Sequence, residues 1–486
     1  MNQADSSMSN ATAAVNAPLV QGLGFWQAVA VNVTQIVGAG VFATIPLILL
    51  KLPGSYALLA WLVAGALIVV DGMIWGELGA ALPAAGGSYH FLLESYGRRK
   101  WGRLMAFLFV WQILISGPLE VGSGLVAAAQ FSTALSPQFR EFDIAHTWHY
   151  DVPLAEDQTI GVALSPSRAL GFAMGVLILI LLYRRVTTLG RLAVVLLAGV
   201  LGLIGWILIE GALHFDPKVA FAEAAKPEDF AGKLGGAMAL AIYSYLGYYN
   251  VCYLGGEVRN PTRTIPRAIL TSALLVVVLF TLIHLAIVGV VPAEVAVDER
   301  VKGNVPAEFM ERLHGPWAST LVTALLIGSC FASCFSGTLG YSRVPYAAAK
   351  EGHFFRWFAA VHPHHHIPHR GLFLIGGLIL FWSFFSLDAL INALIVTRIL
   401  EQFVAQAFAV MLLRRQGRPL PWRMWLYPLP CILALVGWMY VYLTSNWLYI
   451  ALGAGTLFIG LIVFIAWSKR LTDLGQPSVE GIGERS

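Results

Sequence analysis

Charge is what this sequence has least of. Asp, Glu, Lys and Arg make up only 12% of its 486 residues, about half the share an ordinary soluble domain carries. That excludes a water-soluble globule of this length. Cysteine is scarce too. Cys252, Cys330, Cys334 and Cys431 all fall in apolar stretches, so the polar loops have no disulfide to hold them. Cys330 and Cys334 stand four apart and leave two readings, a reactive pair or small packing residues. The first 18 residues, rich in Ser, Ala and Asn, contain no Lys or Arg and so lack the charged start of a secretory signal. Residues 1–22 read as a disordered tail. There is no Walker motif, no phosphate-cradling loop and no nucleophile–base or catalytic-triad pattern. Neither an enzyme nor a resident cofactor is expected, and nothing points to nucleic acid.

What fills the chain instead is apolar sequence: 58% hydrophobic residues and a mean hydropathy of +0.72. One bilayer crossing takes about 20 apolar residues in a helix. Reading such runs between turn and charge signals predicts an all-α membrane protein of about twelve spans, at 25–50, 56–82, 104–133, 168–183, 190–211, 234–256, 266–291, 317–344, 371–386, 388–413, 426–443 and 447–467. The ninth and tenth are parted only by Ser386-Leu387. The longest loop, 136–167, is expected to hold a short surface helix and no more. Residues 23–413 would form one core of ten spans, 414–468 a pair of peripheral ones and 469–486 a polar tail.

Lys and Arg cluster in alternate loops: Arg98, Arg99, Lys100 and Arg103; Arg184, Arg185 and Arg191; Arg259, Arg263 and Arg267; Arg343, Lys350, Arg356 and Arg370; Arg414, Arg415, Arg418 and Arg423. Cytoplasmic loops carry that excess. Both termini are therefore expected inside, in a bacterial-type inner (plasma) membrane.

Two spans are interrupted. The first contains Gln35-Ile36-Val37-Gly38-Ala39-Gly40 and the sixth Tyr243-Ser244-Tyr245-Leu246-Gly247. Each glycine weakens a helix by roughly 1 kcal/mol relative to Ala. Broken backbone at membrane depth is tolerated only where it is buried or lines a cavity, and paired breaks in two halves of a chain mark a transporter's binding site. Five spans separate the breaks, the spacing of a five-plus-five inverted repeat. A half-helix N-terminus would favour a carboxylate, and free carbonyls at a half-helix C-terminus an ammonium group. The other reading is that Gly38 and Gly40 merely let helices approach closely.

The surrounding motifs add to this. Gly38-Ala39-Gly40-Val41-Phe42, then Glu77-Leu78-Gly79 through Pro83 and Gly86-Gly87-Ser88-Tyr89, then Gly256-Glu257-Val258-Arg259-Asn260-Pro261, then Ser342-Arg343 with Lys350-Glu351-Gly352, and finally Tyr427-Pro428 after Arg414-Arg415 follow in order along the chain. Together they resemble the amino acid–polyamine–organocation superfamily. The resemblance implies a leucine-transporter-like fold of two inverted five-helix repeats plus two peripheral helices. It implies a substrate site between the broken first and sixth spans: Ile36 and Val37, the N–H groups of Gly38, Ala39 and Gly40 for a carboxylate, carbonyls near Tyr243, Ser244 and Leu246 for an ammonium group, Tyr245 as a wall or gate, and Gly247. Two coupling devices of relatives are missing. The fifth span has no lysine, its place falling near Gly199 or Val200, and Tyr249 stands where acid-resistance antiporters place a glutamate.

Ionisable residues at membrane depth cost roughly 2.5–3.5 kcal/mol each on insertion scales and are candidates for function. Glu120 in the third span, and Arg398, Glu401 and Gln402 in the tenth, are the coupling or selectivity candidates. Arg398 and Glu401 are expected to neutralise each other at i, i+3 spacing. Asp71 and His284 are weaker candidates, and Glu77 belongs to a motif near the cytoplasmic face. His362, His364, His365, His366 and His369 suggest metal ligation, with a solvated loop as the plainer reading. The expected function is alternating-access transport of an amino acid or amine, with a proton or a counter-substrate as the coupled partner. A polyamine permease using Glu120, Glu401 and Asp71 is the alternative, and a non-transporting amino-acid sensor is the alternative of another class.

Overall fold

The computed structural model describes residues 23–38, 40–84, 86–98, 101–155, 158–183, 189–362 and 367–473. The expectations for the N-terminal tail, Ala39, His364 to His366 and the end of the C-terminal tail lie outside them. The chain is almost wholly helical. In order come α1 (Phe25–Ile36), α2 (Gly40–Lys51), α3 (Tyr56–Ala81), α4 (Ser88–Ser95), α5 (Trp101–Ser132), α6 (Pro137–Ala145), α7 (Pro166–Leu182) and α8 (Leu189–Leu213). Then follow α9 (Pro217–Ala220), α10 (Phe230–Tyr245), α11 (Asn250–Tyr253), α12 (Pro261–Val288), α13 (Ala293–Ala296), α14 (Val305–His314) and α15 (Pro316–Lys350). The last are α16 (His369–Trp382), α17 (Leu387–Arg398), a π turn (Ile399–Val404), α18 (Ala405–Arg415), α19 (Leu429–Leu443) and α20 (Trp447–Asp473).

Among the described residues six helices are long and apolar enough to cross a membrane, and α1 with α2, bent by 49° at their break, pass the same test of length and composition only when taken together. Four shorter apolar helices accompany them, in α7, α8, α16 and α19. The protein is a multi-pass membrane protein. Leu274, Leu275, Val278 and Leu282 on α12 and Phe458, Ile459 and Ile462 on α20 are exposed, as expected of faces that meet lipid rather than water.

Helices meet through small residues. On α3, Gly65, Gly72, Gly76 and Gly79 each lie where an added Cβ would stand 2.7–3.2 Å from Val277, Ile269, Pro266 and Ile265 of α12. Lipid tails give helices no hydrophobic reason to associate, so this close approach supplies the contact energy. The same device joins α5 to α15, where Gly117 faces the Tyr341 ring, Gly124 the Cys334 sulfur and Gly337 the Val121 side chain.

One expectation is corrected. The loop 136–167 holds more than a helix. After α6, whose N-cap Ser136 accepts from the Phe139 N–H, strands β1 (Trp148–Ala155) and β2 (Gln158–Leu164) form an antiparallel hairpin with Trp148 opposite Leu164. Its sequence alternates apolar and polar residues with period two, a signal that a search for 20-residue apolar runs passes over. Hydrogen bonds from Ala163 N–H to Phe384 O (2.8 Å) and from Ser386 N–H to Gly161 O (3.0 Å) pin it to the turn between α16 and α17.

Candidate substrate site

The site grows out of the two breaks. α1 stops at Ile36 and α2 restarts at Gly40. α10 stops at Tyr245, Leu246 turns to extended backbone (φ −57, ψ 140), and Gly247 takes φ +113. Only glycine adopts that conformation without strain, and an added Cβ there would stand 2.8 Å from Gln35 Cγ. The break in the sixth span is thus pressed directly onto the break in the first. Ser244 Oγ and Thr44 Oγ1, 2.9 Å apart, tie α10 to α2.

Between the breaks lies a cavity of about 50 Å³, bordered on its other sides by α5 and α15. Ile36, Gly38, Gly40, Tyr243, Ser244, Leu246 and Glu120 line it. A Cβ at Gly38 would meet Ser333 at no closer than 3.4 Å, and one at Gly40 would meet Ser244 at 3.5 Å. Both are ordinary contact distances, so close packing does not demand glycine at either position. The space they leave open belongs to the cavity.

Gly40 opens α2, and the first N–H groups of a helix have no partner within it. They carry the positive end of the helix dipole. Across the cavity, α10 ends in the carbonyls of Ser244 and Tyr245, that of Tyr243 accepting from the Leu246 N–H at 3.3 Å. One end therefore suits an anion and the other a cation, at a separation set by direct contact of the two segments. The Gly38 amide is already engaged with Ile36 O at 2.9 Å, which leaves Gly40 and the residues after it as the open donors among those described.

Several expected residues lie elsewhere. Val37 and Gly247 do not line the cavity. Tyr245 turns away from it, its hydroxyl donating to Trp61 O (3.2 Å) and its ring stacked on Phe280 (5.5 Å), so it fills the bundle. Arg398, Glu401 and Gln402 sit behind the wall. The expected Arg398–Glu401 pair does not form. The π turn that starts at Ile399 winds more than 3.6 residues per turn, so residue 401 leaves the face that residue 398 occupies. Arg398, fully buried, instead pairs with Glu120 (Nη1–Oε2 2.5 Å) and donates to the Tyr341 hydroxyl (3.0 Å) and to Ser116 Oγ (3.1 Å). The Tyr341 hydroxyl donates in turn to Glu120 Oε2 at 2.5 Å.

The three carboxylates invoked for a polyamine stand in different surroundings. Glu120 alone of the three faces the cavity, and its charge is matched. Asp71 accepts from Tyr248 (2.5 Å) and Trp438 (2.9 Å), and Glu401 lies outside. Glu77 accepts two bonds from Arg414 and one from the Met424 N–H, each 2.7 Å, which joins α3 to the end of α18. The cysteines are free thiols, and Cys330 and Cys334 line the cavity with Ser333. Gln35, Val121, Gly124, Ala127 and Gly337 also line it. Reading the sequence missed them. Gln35 borders the first glycine motif, and the α5 and α15 residues show only as small side chains at helical spacing.

The chain matches the amino acid permease family model over residues 23–468. It is 27% identical over 398 residues to the human cystine/glutamate transporter, covering 80% of this chain and 73% of that one. It is 27% identical over 427 residues to the serine/threonine exchanger SteT of Bacillus subtilis, covering 86% and 90%. The aspartate-proton symporter of the same organism is 26% identical over 374 residues, covering 72% and 65%. A match across nearly every helix, with the two breaks meeting at one cavity, places this chain in the amino acid permease family of the amino acid–polyamine–organocation superfamily.

Proposed function

We propose that this protein is a secondary transporter that moves small neutral amino acids across the membrane by alternating access. Twelve spans, of which the first ten form two inverted repeats, and cytoplasmic termini complete the reading. The observation that carries it is the cavity itself. A helix N-terminus and a helix C-terminus converge on it, the complement of a carboxylate and an ammonium group on one carbon. The relatives are named for the amino acids they carry, one as an exchanger and one as a proton symporter, which supports the same class.

Size and charge narrow the substrate. A cavity needs about 10–15 Å³ to hold one water, so about 50 Å³ suits a molecule of a few heavy atoms. The walls are small residues (glycine, alanine, serine and cysteine) interleaved with Gln35, Ile36, Val121, Tyr243 and Leu246, and the one acid among them, Glu120, is already paired. A small neutral side chain fits there. A cationic chain would meet a matched ion pair, and a bulky one would meet Ser333 and Val121.

The test is uptake of labelled amino acids into proteoliposomes, with an imposed pH gradient in one arm and preloaded unlabelled substrate in the other. Flux of alanine or serine, resisted by excess unlabelled alanine and indifferent to putrescine, is the expected result. Putrescine competition would refute the neutral-substrate reading. Binding without flux of any substrate would refute transport and leave a sensor.

A further inference from the structure

The acids inside this bundle differ in one respect. Asp71 accepts from Tyr248 and Trp438, Glu77 from Arg414 and Met424, and Glu120 from Tyr341 beside the charge of Arg398. Each is held by donors. Glu401 is buried as well, yet its Oε2 has no hydrogen-bond partner and no cation pairs with it among the described residues. It stands in the π turn, a helix defect that frequently marks functional positions.

We propose that Glu401 binds the proton that travels with the substrate. This rests on the transport reading above and specifies its coupling ion. With Arg398 and Glu120 cancelling each other, an ionised Glu401 leaves one uncompensated negative charge in a low-dielectric core. Such a charge, with neither cation nor donor at Oε2, is expensive, and that site becomes neutral when a proton adds to the carboxylate. The step is a simple association, carboxylate plus proton to carboxylic acid, reversed on release.

The surroundings suit the task. Among the described residues, the charges on the elements packed against the turn are paired or stand at the far ends of their helices. α5 contributes Glu120, bound to Arg398, and near its start Arg103, whose charge acts on His353. α17 contributes Arg398 and, at its far end, Asp388. α18 contributes Arg414, bound to Glu77, and Arg415 at the polar helix end. α19 contributes the Cys431 thiol, on Met424, with Tyr440 and Tyr442. Tyr96 from the end of α4 donates to Ala405 O at 3.0 Å.

Uncommitted polar atoms accompany the carboxylate. Gln402 Oε1, both amide atoms of Gln406, and Gln112 Oε1 on the facing helix are buried without partners. Buried polar groups of this kind are ordinarily satisfied by water, which can carry a proton. From Gln112 a bonded chain leads back to the cavity. Gln112 Nε2 donates to Ser116 Oγ (2.5 Å), Arg398 Nε donates to the same oxygen (3.1 Å), and Arg398 meets Glu120 (2.5 Å) at the cavity wall. Gln112, Ser116 and Glu120 recur at four-residue spacing on one face of α5. Protonation at Glu401 is thus placed beside the element that holds the substrate-facing acid.

The test reconstitutes the full chain, as wild type, Glu401→Gln and Glu401→Asp, in liposomes loaded with a trapped pH-sensitive dye. Labelled alanine and serine are the probes, followed by exchange and by accumulation under a gradient of one pH unit. One proton per substrate allows at most about tenfold accumulation. The wild type should approach that and acidify the lumen as substrate enters. Glu401→Gln should exchange substrate but show about onefold accumulation and no dye response. Tenfold accumulation by Glu401→Gln, or exchange by the wild type with no dye response, would overturn the assignment. If Glu401→Gln does not fold, Glu401→Asp decides: a displaced pH profile of uptake supports the proposal, and one superimposable on the wild type overturns it. Absence of exchange in the wild type would refute transport itself, a separate outcome.

Discussion

Consider the consequence of removing Arg398. Its guanidinium is fully buried and is held by Glu120, Tyr341 and Ser116 at 2.5–3.1 Å. In Arg398→Met, Glu120 retains only the Tyr341 hydroxyl, and in Glu120→Gln the guanidinium loses its counter-charge. Breaking one side of a buried ion pair costs about 3–5 kcal/mol, because the surviving charge stays out of water. Replacing both sides removes two desolvation penalties along with the attraction, so the double variant should cost less than about 3 kcal/mol. The single costs sum to about 6–10 kcal/mol, and the shortfall measures a coupling of several kcal/mol. Unfolding free energies in mixed detergent micelles, measured for all four proteins at one pH, give the cycle. Single variants that cost under about 1 kcal/mol, or costs that simply add, would refute the reasoning. The same change should redirect recognition. Arg398→Met leaves an unmatched carboxylate at the cavity wall, so competition by putrescine, absent in the wild type, should appear in it.

Other outcomes follow from particular contacts. Gly38→Val should leave folding intact but abolish uptake, since a Cβ fits at 3.4 Å from Ser333 while the added methyls occupy a cavity of about 50 Å³; thermal stability and transport measured on one preparation separate the two effects. Gly247→Ala combines a positive φ with a 2.8 Å approach to Gln35 and should destabilise by about 1–3 kcal/mol, with transport lost in step. Outside the spans, burial raises the Glu94 carboxyl's affinity for a proton, but hydrogen bonds and charge from Arg98 and Arg418 outweigh that and hold it below its ordinary 4.5. A depressed carboxylate stabilises the fold above its unfolded value and loses that contribution as the pH falls past it. Stability should therefore decline below about pH 4.5, less steeply in Glu94→Gln, as followed by thermal unfolding across pH.

How far the sequence led depended on whether the signal was local. Helix extents follow from runs of apolar residues, and the breaks at Gly38–Gly40 and Leu246–Gly247 from glycine and its backbone preferences, so both were legible in a single stretch of chain. The partner of Arg398 was not. At i, i+3 spacing Glu401 was the natural choice, and only the π turn, which no composition announces, carries it to another face and leaves Glu120, 278 positions earlier in the chain, as the counter-charge. The cavity walls on α5 and α15 were hidden for a related reason: glycine, alanine and serine at helical spacing look alike whether they admit a neighbouring helix or a ligand. Gly117 serves the first purpose, with Tyr341 pressed against it, while Gly38 and Gly40 leave room that no neighbour uses. What a small residue is for depends on what stands opposite it. In a membrane bundle that is decided by helices far apart in sequence, so the acids and glycines of such a site can be enumerated from the chain but their roles are assigned only once the opposite wall is in place.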